Sequence, residues 1–455
     1  MTNKIVITPE AKLLQVQQSY YAPVAVITAK NNLPAETNYC FLSRVDPWPV
    51  ANTPPTPGLD QKSRKEVFKN IFAVKKVNTS DISPVIQRID WEPGVVFDYY
   101  RDNVNMLEKD ENKILNYNFY AKNKYDQVFK CLWNGNGAVA TDEPVFTPGT
   151  YGTNNIYAGS DGYKWKFIYS IDAGLKVKFM DINWMPIGVS ATSLNPLLSS
   201  EGIGGVEVIN VFNGGSGYDS VNATITVTVT GDGNGVVATA NTSNGSIIDI
   251  IVTNPGANYT YANVVVTSSL GNGVVAYANT SPVGGHGFDP ISELGCSHVM
   301  YSIEFNGSES NQIPTDIDFH QLGLVVNPTS KQTTPDAANG AIYRTTTDFI
   351  LASGFGAFEN DEIVYQGTSL AAATFTAKVL SFDVASNVLR LINITGTPII
   401  NGSVYGNTSS TARTVLTVSY PSFVLFSGYL AYIENRESIQ RSSDGIEQYR
   451  FVLGY

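Results

Sequence analysis

Between residues 200 and 286 the chain repeats itself, and no other feature limits the fold as much. Val206-Glu-Val-Ile209 followed by Gly217-Tyr218 returns as Ile247-Ile-Asp-Ile250 followed by Asn258-Tyr259, and Gly235-Val-Val-Ala238 returns as Gly273-Val-Val-Ala276. The spacing is about 40 residues. A unit that short cannot bury a hydrophobic face alone, so the two copies are expected to pack together or to supply strands to one β-module; two copies argue against a long solenoid. Thr224-Ile-Thr-Val-Thr-Val-Thr230 alternates apolar with β-branched polar residues, as half-buried strands do. Downstream, Ile363-Val-Tyr-Gln-Gly-Thr-Ser369 is echoed by Val404-Tyr-Gly-Asn-Thr-Ser409 around Val388-Leu-Arg-Leu-Ile-Asn-Ile394, which predicts a small β-barrel.

Few segments read as helix. Pro9 to Tyr20 has a Thr8-Pro9-Glu10 start that suits Pro at the first helical position, and Gln61 to Val74 places Val67, Phe68 and Ile71 on one face. The expected fold class is therefore mainly β with a few helices, an α+β body of β-sandwich or barrel type. That body is discontinuous, covering 1–199, 287–340 and 415–455. The repeat module at 200–286 and the barrel-like module at 341–414 interrupt it as insertions, since both are rich in Gly, Ser, Thr and Asn and poor in charge.

Composition narrows the function. At 455 residues a prior of about 150 per domain gives roughly three packing units. Hydrophobic residues at 43% supply ample core, whereas charged residues at 15% fall below the roughly 25% of an average soluble domain. A net charge of -11 argues against a nucleic-acid surface, which needs clustered Lys and Arg. Cys40, Cys131 and Cys296 are far apart and odd in number, so buried thiols are expected rather than disulfides or a zinc site. Met1 to Tyr21 lacks the pattern of a signal peptide, and the apolar stretch Phe423 to Ile433 is too short to span a bilayer; a soluble protein made in a cytoplasm is the expectation. Sequons such as Asn222, Asn258 and Asn393 read as polar turns and strand faces.

Catalytic material is sparse, and no enzyme, cofactor or metal site is expected. His286 sits in Gly284-Gly-His-Gly287, read as a junction loop, and His298 in a predicted strand, Ser297 to Tyr301. Asp142-Glu143, Asp361-Glu362 and Asp289 are candidate acids for glycoside hydrolysis, but neighbouring acids on a strand point to opposite faces, so solvated turns are the expectation. Gly231-Asp-Gly-Asn-Gly235 lacks the spaced acids of a calcium loop and reads as a tight turn.

Several segments outside the two modules together resemble one family, the baseplate wedge proteins of T-even-like myoviruses of the type called gene product eight. They are Arg44-Val-Asp-Pro-Trp-Pro49 with Pro54-Pro-Thr-Pro57, Val85 to Trp91, and Val128 to Leu132 leading to Glu143-Pro144. Ser160-Asp-Gly-Tyr-Lys-Trp-Lys-Phe-Ile-Tyr169, Asp318 to Pro328, and Gly428 to Arg436 follow in order. His320 stands where the family carries Arg, and Glu437-Ser438 where it carries a proline pair. The resemblance implies a structural subunit of a contractile tail's baseplate in the virion, homodimeric within the wedge. It would hold neighbouring wedge subunits together and take part in assembly and in the rearrangement on contraction, without nucleic acid or membrane insertion. Large contact residues would come from Trp91, Tyr99, Tyr100, Tyr163, Trp165 and Trp184, with core packing as the alternative for each; Trp91, Tyr163, Trp165, Trp184, Asn435 and Arg436 are the candidate interface. Two further readings remain open: a host-surface glycan-binding module using aromatic side chains of the repeats around Tyr218 and Tyr259 or of the small barrel, and a glycan-degrading tail enzyme using Asp361 or Glu362.

Overall fold

A computed structural model describes residues 37–111, 114–149, 155–188, 204–219, 224–330, 336–338 and 340–455. The helix expected at Pro9 to Tyr20, the boundary at 199 and 200, and Asn222 fall outside them. The fold is mainly β, with three α-helices among the described residues, Gln61–Asn70, Ala173–Phe179 and Pro290–Glu293. The chain forms two compact units, one of 83–300 with 452–455 and the other of 37–82 with 301–451.

In the first unit, Tyr120–Lys122, Gln127–Asn134, Tyr163–Ser170 and Ile156–Ala158 form an antiparallel sheet. Its core gathers Phe97, Ala121, Phe129, Cys131, Ala140, Tyr163 and Trp165. Trp165 meets Phe97 edge-on at 5.2 Å, while Tyr163 stacks on Trp165 at 5.6 Å and donates its hydroxyl proton to Ala138 O at 2.6 Å. That bond satisfies the one polar atom the Tyr163 ring carries inward. Beside this sheet Val85–Gln87 pairs with Trp184–Pro186.

The repeat supplies six strands to this same unit: β1 Val208–Ser216, β2 Ile225–Gly231, β3 Asn234–Ser243, β4 Ser246–Ala257, β5 Ala262–Ser268 and β6 Asn272–Asn279. Their pairing explains why two copies are needed. β3 of the first copy pairs with β4 of the second, β6 of the second with β1 of the first, and β2 with β5, giving a four-stranded sheet β3-β4-β1-β6 and a two-stranded β2-β5. Equivalent bulges fall at Val237/Ala238 and Val275/Ala276, and Gly215 and Gly256 both take φ +63°. A Cβ at Gly233 would run into the Tyr259 ring, and one at Gly271 into the Tyr218 ring. The duplicated glycine is therefore the space that each inward tyrosine fills.

The second unit is built on a five-stranded antiparallel sheet, Ile342–Arg344, Ile71–Lys76, Asn38–Ser43, Asp318–Val326 and Tyr429–Gln440 in that order. The helix expected to reach Val74 ends at Asn70. Asp60 caps its start by accepting from Lys62 N and Ser63 N, and Asn70 Nδ2 donates to Glu66 O at the other end. Ile71 to Val74 are buried on both strand faces opposite Phe41 to Ser43, so tertiary pairing overrides the helical period there.

Beyond it lies a closed barrel: β7 Thr347–Leu351, β8 Ile363–Gln366, β9 Phe375–Asp383, β10 Val388–Gly396, β11 Ser403–Gly406 and β12 Ala412–Ser419, in the order β7-β10-β9-β8-β11-β12. The echoed segments are neighbours, with Tyr365 opposite Tyr405 and their rings stacked at 5.6 Å. Phe349, Val364, Phe375, Leu389, Leu391, Val404 and Val415 fill the interior. The barrel runs past 414 because Ser419 pairs with Asp348 to close it, and it begins after Arg344, which belongs to the five-stranded sheet.

Candidate partner-contact sites

The second unit gathers four of the segments that carry the resemblance. Trp48 Nε1 donates to Arg436 O at 2.7 Å, Asn435 Nδ2 to Pro55 O at 2.7 Å, and Gln321 Nε2 to Asn435 Oδ1 at 2.7 Å. The proline and tryptophan loop is thus tied to the strands Asp318–Val326 and Tyr429–Gln440. Asn435 and Arg436 are half-buried, the latter paired with Glu434 at 2.8 Å, and the His320 ring lies 6.1 Å from Trp48. Beneath the loop, Arg44 is buried; its Nη2 reaches Asp318 at 2.7 Å and Asp361 at 2.5 Å. Lys378 bridges Asp46 at 2.7 Å and Asp361 at 3.1 Å. Burial alone would raise the Asp361 carboxyl, but the Arg44 hydrogen bond and the Lys378 charge hold it below its ordinary range.

The aromatic candidates of the first unit divide. Tyr163 and Trp165 have no exposed surface and belong to the core, so they are not contact residues as the molecule stands. Trp91 is half-buried against that core, and Tyr99 sits edge-on to Trp133 at 5.0 Å. Trp184 is half-buried at the wall of a cleft, 4.4 Å from the His298 ring. Of the candidate interface, Trp91, Trp184, Asn435 and Arg436 keep accessible surface.

Two expectations are corrected by burial. Tyr218 and Tyr259 lie in the core of the repeat module at 2% and 3% exposure, so neither ring can stack on a sugar. Glu362 and Asp289 are buried rather than solvated, whereas Asp142, Glu143 and Asp361 keep partial exposure outside the strands, Asp361 in a turn; all five are engaged as acceptors in the fold. Asp142 accepts from Tyr157 Oη and from Ser160, Glu143 pairs with Lys124, and buried Glu362 accepts from the N–H groups of Glu359, Thr408 and Ser409. Asp289 is a buried cap of Pro290–Glu293. With Asp361 paired to two cations and Glu362 saturated by donors, the acid pair offers no free carboxylate for glycoside hydrolysis. Gly231 to Gly235 is a turn between β2 and β3, where Asp232 accepts from Thr260 and Tyr261.

His286 occupies a buried charged cluster. Its Nδ1 is 2.7 Å from Glu293 Oε1, and Lys130 Nζ reaches the same oxygen at 2.7 Å and lies 3.8 Å over the Tyr100 ring. Lys130 Nζ also lies 3.1 Å from His286 Nδ1, so a carboxylate and an ammonium face the same ring nitrogen. Gly287 N donates to Glu293 Oε2, His286 N to Glu207 Oε1, and Lys166 pairs with Glu207 at 2.6 Å. Burial pushes the Glu293 carboxyl up, yet Lys130 and then His286 outweigh it and bring the pKa down to about 2. His286 is held below its ordinary value by burial first and by Lys130 second. The cluster joins body strands to the repeat module, and Lys164 to Asp249 at 2.5 Å adds to the same seam. Only the Gly-Gly-His-Gly loop marked it in the sequence; Lys130 and Glu293 are 163 positions apart and carry no local signal.

Cys40, Cys131 and Cys296 are buried free thiols, and burial pushes Cys40 and Cys296 up to about 12. Among the described residues no three His, Cys, Asp or Glu side chains cluster as metal ligands, and no helix is long and apolar enough to cross a membrane. Compared with known proteins, the chain matches no protein-family description and no curated sequence.

Proposed function

We propose that the chain is a non-catalytic structural subunit of a contractile phage tail baseplate wedge, homodimeric there and binding other wedge subunits. One observation carries the reading. Most of the segments that resemble the wedge family, far apart in sequence, lie against one another in two patches, 44–57 with 318–328 and 428–436 in one unit and 128–132 with 160–169 in the other, while Val85–Gln87 pairs with Trp184–Pro186. Chance likenesses have no reason to share hydrogen bonds. The repeat module and the barrel lie outside these patches, as lineage-specific additions would. The engagement of Asp361 and Glu362 weighs against the hydrolase alternative, and the burial of Tyr218 and Tyr259 against glycan binding by the repeat module.

Gold-labelled antibody raised to the chain and applied to intact virions tests the proposal. Label at the distal end of the tail supports it; label confined to the head or absence from purified virions contradicts it.

A further inference from the structure

In the second unit a pocket of about 360 Å³ lies between the loop 308–316 and the barrel, which lines it with Asn360, Ser381 to Asp383 and Arg390. The loop is fixed from within the fold. Arg441 is fully buried; its Nη1 donates to Pro314 O at 2.8 Å and its Nη2 to Gly307 O at 2.7 Å, while Asp316 N donates to Arg441 O at 3.0 Å. Asn311 and Asp316 take φ +65° and +59°, a left-handed backbone that Asn and Asp tolerate better than most side chains. On the barrel side the register of β9 against β10 shifts between Val379 and Ser381, and a bulge of that kind re-aims the side chains beside it. Both walls are therefore in place before a ligand arrives, which spares binding the cost of ordering them.

The lining mixes unlike polar groups, and several have capacity to spare. The Arg390 side chain is only 26% exposed, yet its guanidinium makes no hydrogen bond among the described residues. Asp348 stands 3.9 Å from its Nε and is already taken by Arg344 at 2.6 Å and by the Thr346 hydroxyl. Asp316 is exposed and accepts from a side chain only the long bond of Thr315 Oγ1, 3.3 Å at Oδ2. The exposed Asn360 amide makes no hydrogen bond among the described residues. Asp383, by contrast, is spent on its own turn, accepting from Ala385 N, Ser386 N and Ser386 Oγ. Phe382 is turned to the barrel interior, edge-on to Phe358 at 5.3 Å, and offers no platform. An anion entering the pocket would meet Asp316 and Asp383, a cation would meet Arg390, and an apolar group would take water from all of them without replacing it. A neutral group that donates and accepts at adjacent positions satisfies both the guanidinium and the carboxylate, and the neighbouring hydroxyls of a sugar ring are such a group.

We propose that this pocket binds one neutral sugar ring of a glycan, with Arg390 donating to adjacent hydroxyl oxygens, Asp316 accepting from a hydroxyl and Asn360 bonding a third. The volume is at the low end of the range for ligand pockets, roughly 300–1,000 Å³, which suits a single ring rather than a long chain. Recognition by hydrogen bonds in a pocket open to water gives modest affinity and strong dependence on hydroxyl geometry. The proposal does not rest on the baseplate reading.

The test uses the full chain and the methyl glycosides of glucose, galactose, mannose, rhamnose and N-acetylglucosamine, with methyl glucuronide as the charged probe and tetrahydropyran as the ring without hydroxyls. Binding is followed by saturation-transfer NMR and by calorimetry. The expected result is saturable binding of at least one neutral glycoside with Kd no weaker than about 10 mM, little changed by added salt, and none of tetrahydropyran. Arg390→Met should weaken the preferred glycoside at least tenfold. Asp316→Asn, which keeps a side chain suited to the left-handed φ, and Asn360→Ala should each weaken it at least threefold, with melting curves showing that the variants fold. Should Arg390→Met fail to fold, the two substitutions at exposed positions decide. No neutral glycoside binding within that limit, equal binding of tetrahydropyran, tighter binding of the glucuronide than of every neutral glycoside, or folded variants with unchanged affinity would overturn the proposal.

Discussion

The repeat module and the barrel each spend six strands, but they obtain stability from different places. The barrel closes, so it has no edges and turns a full ring of side chains inward, from Phe349 through Leu391 to Val415. The module stays open. Its four-stranded sheet ends at β3 and β6, and most of its inward residues, Val211, Val227, Val236, Val264 and Ala276 among them, remain partly exposed around a small buried set that includes Tyr218 and Tyr259. What the module lacks in core it takes from its seam with the body, where Lys130, Glu293, His286, Lys166, Glu207, Lys164 and Asp249 are joined. The barrel's ties, Arg44 to Asp361 and Lys378 to Asp46, end on acids 37% and 89% exposed to water. Closing a sheet supplies its own interior, whereas an open one must borrow from its neighbour.

The largest effect that could break this contrast is in the seam. Glu293→Leu leaves Lys130 buried without its counter-ion and should cost about 3–5 kcal/mol, read as a lower denaturant midpoint with hydrogen exchange accelerated first in β1 and β4. If exchange rises equally in the barrel, the seam is not local to the module. In the barrel, Leu391→Ala should cost about 2–5 kcal/mol through the cavity it leaves, with exchange rising in β7 to β12 and not in the module. Next come the duplicated glycines. Gly233→Ala and Gly271→Ala each push a methyl into a tyrosine ring and should cost about 1–3 kcal/mol each; calorimetric melting that finds one silent would break the equivalence of the two copies.

The smallest effect is set by pH. In the unfolded chain His286 takes up a proton near 6.5, but in the fold its pKa lies lower, so the unfolded state binds the proton first and stability falls as pH drops below about 6.5. Glu293 continues the loss from about 4.5 down to about 2. The barrel strands contain no histidine, and burial raises the pKa of their Asp348, which gives the opposite slope. Exchange rates corrected for their intrinsic pH dependence should therefore show the module loosening between neutral pH and about pH 5 while the barrel does not, and His286→Gln should flatten the upper part of that change.

Much of this organisation was legible because it is local. Alternation and self-similarity mark strands wherever they occur, so the repeat and the barrel could be read from Gly235-Val-Val-Ala238 and from the echo of Ile363 to Ser369. Which face a strand buries is set by its neighbours, and there the reading failed. Tyr218 and Tyr259 look like binding aromatics until β3 and β6 bring Gly233 and Gly271 against them, and Tyr163 and Trp165 look like contact residues until Phe97 and Phe129 enclose them. Ile71 to Val74 keep a helical period that pairing with Phe41 to Ser43 overrides. The seam and the pocket beside the barrel were least visible, since Lys130 with Glu293 and Asp316 with Arg390 are brought together only by the fold.

Co-expression of the full chain with the tail proteins encoded beside it, followed by affinity capture and light scattering, tests the scaffold reading most directly. The account predicts a stoichiometric complex whose mass requires two copies of this chain together with its neighbours. A chain that is captured alone, as a monomer, in the presence of all of them would contradict it.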